Sequence, residues 1–185
     1  MPALAIWTPE DGVLSALAPL GLAAAAGTAL VVDLDPQGPR YPGEPSLADL
    51  VREGPRRADL SPARRGVAVL RNGGVGPAAA AEVVSALVAG WERVVLRLPP
   101  LPPPVGADAP VVPVRLLIPG GLFARTGGPA VYQSTRVVMP LPGPGLRLPI
   151  PSAGTVAGLL KGRLPVAGDR WVRAWRPVWE APWGR

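Results

Sequence analysis

An uncharged segment near the amino terminus constrains the fold of this chain more than any other feature. Between Gly12 and Val32 the sequence contains no Asp, Glu, Lys or Arg, and this length meets the requirement of roughly 20 apolar residues for a membrane-spanning helix. However, the flanking residues are acidic, no basic residue precedes Arg40, and Pro19 interrupts the segment. Signal peptides and membrane anchors carry basic flanks. We therefore expect no integral membrane span, and instead a helix and a strand buried within one domain.

Short apolar runs, punctuated by 27 Pro and 23 Gly, predict the secondary structure. Strands are predicted at 3–7, 28–34, 67–71, 93–98, 111–118 and 135–139, and helices at 13–26 (broken near Pro19), 46–53, 77–90 and 153–161. A strand, a helix and a second apolar strand form a βαβ unit, and continuously apolar strands indicate a parallel sheet covered on both faces. The predicted fold class is therefore α/β, with a mostly parallel sheet and helices on both faces.

Proline and glycine are dense between Pro99 and Pro110 and again between Pro119 and Pro129. This density argues against long crossover helices, so the second half of the fold is predicted to be pared down. We expect one domain over residues 1–168 and a tail over residues 169–185.

The composition excludes several kinds of chemistry. The chain has no Cys and no His, and Lys161 is its one lysine among 19 basic residues. Thiolate metal sites, disulfides and Ser-His or Cys-His catalysis are therefore excluded. The net charge of +6 and the pI near 11.1 suit nucleic acid, anionic lipid or an acidic protein. They do not choose among these partners, because the arginines are scattered along the sequence.

The segment Leu30–Gly38 reads Leu-Val-Val-Asp-Leu-Asp-Pro-Gln-Gly. It resembles the second signature of the ParA/MinD family of deviant-Walker ATPases, in which an apolar strand runs into Asp-x-Asp-Pro-Gln-Gly. Residues 5–17 occupy the place of that family's phosphate loop, and 46–50 and 92–100 resemble later segments. The stretch 148–165 is similar to the end of pilus-associated relatives of the CpaE/TadZ group. The resemblance covers residues 3 to about 165 and implies a fold like that of the P-loop NTPases.

The phosphate loop departs from the family pattern. The family's two lysine positions correspond to Glu10 and Ser15, and two of its glycine positions to Asp11 and Leu14, whereas Gly12 is retained. A phosphate loop needs small residues and a lysine that neutralises the β- and γ-phosphates. A loop with two carboxylates repels such a ligand.

Two further positions depart from the pattern. The hydroxyl that would hold magnesium corresponds to Ala16, and the metal-supporting Asp of the third strand corresponds to Arg97. Phosphoryl transfer depends on positioning and charge stabilisation, which these groups supply. We therefore expect no ATP hydrolysis, no metal and no cofactor.

The acids after the second strand have two interpretations. Asp33, Asp35 and Gln37 would line a cleft at the carboxyl ends of the strands, where ligands of this fold class bind. Alternatively, the two acids end a strand and bond to turn amides, an interpretation that we favour. The resemblance predicts a vestigial nucleotide cleft made of Gly12, Ser15, Asp33, Asp35, Gln37, Gly38 and Arg97.

Four of the six tryptophans recur at every fourth residue of the tail. These are Trp171, Trp175, Trp179 and Trp183, with Arg173 and Arg176 between them. On a helix, Trp171 and Trp175 would form one aromatic stripe, although Pro177 and Pro182 limit its length. The rings and arginines are candidate contacts to a partner or membrane. Packing of the tail over its own domain or a partner subunit is the interpretation that we favour over membrane docking.

These observations predict a non-catalytic, ParA/MinD-like pseudo-ATPase that serves as a scaffold or adaptor. Members of the family are bacterial-type positioning proteins. They position cellular machinery by nucleotide-controlled dimerisation on DNA or membrane. The expected partner is another protein or a second copy of the chain, in the cytoplasm or peripheral to membrane or nucleoid. The alternatives are a basic DNA-binding or peripheral membrane-binding positioning protein, and a weak nucleotide binder.

Overall fold

A parallel β-sheet forms the centre of the structure. The computed structural model describes residues 3–63, 65–101, 109–119, 128–163 and 168–183. Within these ranges the sheet has seven strands. They are β1 (Ala3–Trp7), β2 (Thr28–Asp33), β3 (Gly66–Leu70), β4 (Val94–Arg97), β5 (Val111–Leu117), β6 (Ala130–Ser134) and β7 (Gly145–Leu148). All their pairings are parallel, so the carboxyl ends of the strands lie along one edge.

The strand order is β3-β2-β4-β1-β5-β6-β7. From the central β1 the chain first builds one half of the sheet and then, after β4, the other half. Such a reversal leaves a crevice at the carboxyl ends of the central strands, which is where ligands bind in open α/β sheets. In this edge the pairing of β2 with β4 sets Asp33 opposite Arg97.

Helices cover both faces of the sheet, so the predicted α/β architecture is confirmed. On one face, α1 (Gly12–Ala26) shares a buried apolar cluster with α4 (Ala153–Leu160), α5 (Arg170–Arg173) and α6 (Arg176–Glu180). On the other face, α2 (Leu47–Glu53) and α3 (Ala81–Gly90) share a second cluster with β2, β3 and β4.

Helix α1 accounts for the uncharged segment. It lies between the sheet and helices α4, α5 and α6, and every residue from Leu14 to Ala23 is buried. A helix that is apolar on all sides must be buried on all sides, and the second layer of helices meets this requirement. No helix among the described residues combines the length and the apolar character needed to cross a membrane.

Several predicted boundaries are wrong. Helix α1 runs through Pro19 without a break, and α3 begins at Ala81 because residues 77–80 form a turn. In place of a strand at 135–139, the structure has β6 before it and β7 after it. Val137 and Val138 are 48% and 93% exposed, so the apolar run that suggested this strand is not buried. The connections rich in proline and glycine after Pro99 and Pro119 fall largely outside the described residues.

The tail continues the fold in two short helices. Trp171 and Trp175 cover Gly21 of α1, where a Cβ atom would lie 2.5 Å from each indole. The two rings meet edge to face, with centroids 5.6 Å apart. Residues 169–183 therefore complete the apolar layer over α1.

We expect Gly21→Ala to lower the free energy of unfolding by about 1–3 kcal/mol, since overpacking a buried site costs that much. Helix propensity alone predicts the opposite sign, because Ala is favoured over Gly inside a helix by about 1 kcal/mol. Urea unfolding followed by tryptophan fluorescence distinguishes the two.

Gly76→Ala is the matched control, because a Cβ atom there meets nothing within 4 Å. It should change the free energy of unfolding by less than about 0.5 kcal/mol. A stabilised Gly21→Ala variant would show that the indoles yield easily and that the tail packs loosely.

Candidate functional site

A buried arginine occupies the crevice at the carboxyl edge of the sheet. Arg97 is the last residue of β4, and its side chain is 0% exposed. Its guanidinium contacts Asp33 at 3.3 Å and Asp35 at 3.0 Å. A buried charge is tolerated when ion pairs and hydrogen bonds compensate its lost hydration, and here two carboxylates do so.

The remaining contacts of the guanidinium come from α1 and from the loop after β2. Arg97 Nε donates to Ser15 Oγ at 3.1 Å, and Nη1 donates to the carbonyl oxygen of Pro39 at 2.7 Å. The guanidinium also lies over the ring of Tyr41, with its carbon 5.4 Å from the centroid. Arg97 therefore ties together β2, β4, α1 and the loop over residues 34–41.

This loop closes over the arginine. Asp33 Oδ1 accepts the N–H of Asp35 at 3.0 Å, and Asp35 Oδ1 accepts the N–H groups of Gln37 and Gly38 at 3.1 and 3.0 Å. These are the turn hydrogen bonds that the favoured interpretation of the two acids predicted. The Gln37 side chain is exposed, so this residue contributes its backbone alone.

Gly38 is required by the closeness of the loop to the ion pairs. A Cβ atom at Gly38 would lie 2.1 Å from Asp35 Oδ2 and 2.2 Å from Arg97 Nη2. At the far end of the loop, the Tyr41 hydroxyl donates to the carbonyl oxygen of Ala16 at 2.7 Å. The loop is thus hydrogen-bonded to α1 through Tyr41, and its backbone at Gly38 packs directly against the Arg97 guanidinium.

Carboxylates of the chain itself also occupy the counterpart of the phosphate loop, although Glu10 Oε2 and Thr8 Oγ1 are buried there without a hydrogen-bond partner among the described residues. Asp11 precedes α1, and its Oδ1 accepts the N–H of Leu14 at 2.6 Å. Glu10 forms a largely buried ion pair with Arg115 of β5, in which Nε lies 2.6 Å from Oε1. A helix amino terminus attracts an anion, but here the carboxylate of Asp11 already holds that place, next to Gly12.

Burial raises the pKa of Asp33 from 3.8 to about 6, although Arg97 and the N–H of Asp35 lower it. The site therefore holds a carboxylate that titrates well above its usual range. Among the described residues, no three Asp, Glu, His or Cys side chains form a group that could hold a metal ion.

The predicted cleft residues divide into three groups. Ser15, Asp33, Asp35, Gly38 and Arg97 lie together, as the resemblance implied, whereas Gly12 only borders the loop and the Gln37 side chain is turned outward.

The contributions of Tyr41, Pro39 and Arg115 were not anticipated. Tyr41 and Pro39 directly follow the signature, which is the one available signal for them. Arg115 gives no such signal, because only the sheet order brings β5 beside β1.

The tryptophans of the tail do not form the exposed contact predicted for a partner or membrane. Trp171, Trp175 and Trp183 are buried, and Trp171 Nε1 donates to Gln133 Oε1 at 2.7 Å. Trp179 is partly buried, with Nε1 donating to the Leu22 carbonyl oxygen at 3.0 Å.

The two arginines predicted beside these rings, Arg173 and Arg176, are exposed. The rings therefore face the chain's own core, as the favoured packing interpretation expected, and the exposed part of the tail that could meet a partner is its arginine side.

Comparison with known proteins assigns no family to this site: no family model, no curated protein and no solved structure matches the chain.

We expect Arg97→Met to lower the free energy of unfolding by about 3–5 kcal/mol at pH 7, because it leaves two carboxylates buried without their cation. The triple variant Arg97→Met, Asp33→Asn, Asp35→Asn should recover much of this loss. Arg65→Met, at an exposed position, is the control. A loss below about 1 kcal/mol for Arg97→Met would mean that the cluster contributes no more than an exposed ion pair.

The raised pKa of Asp33 makes stability depend on pH in a defined direction. Between pH 3.8 and about 6 the folded protein retains a proton on Asp33 that the unfolded chain has lost. Asp33 therefore lowers the free energy of unfolding as pH rises through this window.

We expect the free energy of unfolding of the native protein, minus that of Asp33→Asn, to fall by on the order of 3 kcal/mol between pH 3.5 and 7. Urea titrations at a series of pH values measure this difference, and the subtraction removes the contribution of other carboxylates. A difference that rises with pH would show that Arg97 outweighs burial.

Proposed function

We propose that this chain is a non-catalytic relative of the ParA/MinD-type ATPases that acts as a scaffold or adaptor through contacts with other proteins. The observation that carries the proposal is the guanidinium of Arg97, which fills the crevice with the chain's own positive charge. A side chain thus occupies the position where an active relative would keep its carboxylates available for metal and nucleotide.

The cost of opening the crevice supports the proposal. A nucleotide that entered would have to separate Arg97 from Asp33 and Asp35, and breaking a buried ion pair costs about 3–5 kcal/mol. Since each 1.4 kcal/mol is tenfold in affinity, this penalty weakens nucleotide binding by about 10²- to 10⁴-fold. Asp11 adds negative charge at the amino terminus of α1, where phosphates would lie.

The lysines that would offset this penalty are absent from the phosphate-loop positions, which hold Glu10 and Ser15. Lys161 is the chain's one lysine, and it directly follows α4, a helix that packs on α1. Without a lysine at the phosphate-loop positions, and with Ala16 where the resemblance places the magnesium-holding hydroxyl, the charge stabilisation that phosphoryl transfer needs would be missing. The property that natural selection would maintain is then the outer surface of the fold, which binds the partner. The internal ion pairs would hold that surface in one conformation.

The alternative functions differ in their support. Docking to a membrane through the tail loses its main argument, because three of the four rings are buried in the chain's own core. Binding to DNA through the net charge of +6 has no concentrated basic segment to carry it. Weak nucleotide binding is the alternative that the following experiment addresses directly.

We expect no change in the thermal midpoint of the purified protein with millimolar magnesium-ATP, ADP or GTP, and no magnesium-dependent hydrolysis above background. A ligand that binds only the folded state must raise the midpoint, by an amount that grows with ligand concentration. The comparison variant is Asp33→Asn. A midpoint that rises with nucleotide in the native protein but not in Asp33→Asn would overturn the proposal and make the chain a nucleotide-sensing switch.

A further inference from the structure

Strand β3 forms one edge of the sheet, and a pocket separates its partly exposed residues from the chain segments 44–45 and 58–63. The strand pairs with β2 on its inner side, and among the described residues no hydrogen bond reaches the backbone of Gly66–Leu70 from the outer side. Proteins usually protect such edges with lysine, proline or a bulge, because an open edge accepts another strand. The sequence of β3 is Gly-Val-Ala-Val-Leu and contains none of these protective residues.

The chain itself extends the sheet at the end of this edge. Ser46 forms a parallel bridge with Arg71, and the N–H of Leu47 donates to the carbonyl oxygen of Arg71 at 2.7 Å. The outer side of the sheet therefore accepts a parallel partner directly after Leu70. The open stretch of five residues before that bridge continues the same line.

A pocket of about 300 Å³ adjoins the open edge on the face that carries α3. Its apolar lining includes Leu30, Leu50, Ala68, Leu87 and Trp91, all of which belong to the cluster on that face. This volume is at the lower limit of small-molecule sites. It suits one or two apolar side chains of a strand lying along β3.

The wall of the pocket is held in place by the end of α3. Gly90 approaches the loop before β3 so closely that a Cβ atom would lie 2.1 Å from the carbonyl oxygen of Leu60. Trp91 Nε1 donates to the carbonyl oxygen of Asp59 at 2.9 Å. Residues 59 and 60, which form this part of the pocket wall, are thus held against α3 before any ligand binds.

The charge around the edge favours an acidic partner. Arg65 lines the pocket at the start of β3, is exposed, and has no ion pair among the described residues. At the opposite end, Glu44 lies 3.7 Å from Arg71 and so has a partner already. Asp59 also lines the pocket, but its carboxylate accepts the N–H of Arg56 at 2.8 Å. Within the described ranges, the charged group without such a partner beside β3 is therefore Arg65.

We propose that the β3 edge binds an extended peptide segment of a partner protein, with an apolar side chain in the pocket and a carboxylate beside Arg65. Main-chain hydrogen bonds to β3 would supply affinity, and the pocket and Arg65 would supply specificity, as in other cases of strand addition. The biological role of this peptide site at the β3 edge, called the slot below, rests on the proposed adaptor function. The contacts that would bind the peptide do not involve the crevice around Arg97.

The test is selection of a phage-displayed library of random octapeptides against the full chain. We expect enriched peptides that alternate apolar and polar residues and carry Asp or Glu at one end, and that shift the amide resonances of Gly66–Leu70. Backbone N-methylation of the best peptide at the positions that pair with β3 should weaken binding at least tenfold. Absence of enrichment, or shifts confined to another surface, would overturn the proposal.

Two variants locate the peptide. Ala68→Phe fills the pocket and should weaken binding at least tenfold, whereas Val138→Phe adds the same ring at an exposed position elsewhere and should not. Arg65→Glu changes only an exposed charge and should weaken peptides that carry a carboxylate.

Equal binding by the native protein and both edge variants, Ala68→Phe and Arg65→Glu, would overturn the slot and leave the nucleotide result untouched. A nucleotide-dependent rise in the thermal midpoint would overturn the adaptor function and leave the slot intact.

Discussion

The buried guanidinium of Arg97 is the interaction on which the carboxyl edge of the sheet depends. Once a strand ends in an arginine that cannot reach water, the structure must surround it with acceptors. Asp33 and Asp35 supply two carboxylates, and Pro39 supplies a carbonyl oxygen. The loop that brings these groups together needs Gly38, since any Cβ atom there would collide with the ion pairs. One charge on β4 thereby fixes the conformation of a loop that follows β2.

The second constraint is the apolar character of α1. A helix without a polar face cannot be covered by the sheet alone, because its opposite, equally apolar side would remain exposed to water. The tail solves this problem with large rings: Trp171 and Trp175 cover Gly21, and Trp183 is buried near them. An aromatic tail that suggests a binding surface in the sequence is thus the outer wall of the chain's own core.

The sequence predicted the layers of the fold better than its contacts. The apolar runs of β1 and β2, and the acids that follow β2, placed Asp33 and Asp35 at the correct edge, and the resemblance placed Arg97 beside them. Their mutual bonding was not predicted, because it depends on the register between β2 and β4. Strands β6 and β7 were misplaced or missed, since each has only four or five residues and is flanked by proline, which shortens the apolar pattern that could be recognised.

The crevice around Arg97 and the β3 edge differ in the bonds that a ligand would have to break. At the carboxyl edge, the buried charges of Arg97, Asp33 and Asp35 pair with one another, so a ligand there must break existing bonds before it forms new ones. At the β3 edge, the outer backbone groups of the strand and the exposed Arg65 have no hydrogen-bonded or ion-paired partner within the part of the chain that the structure describes. Binding free energy is the surplus over what must be broken or ordered. Association at the β3 edge therefore costs less than association in a crevice that is closed by internal ion pairs.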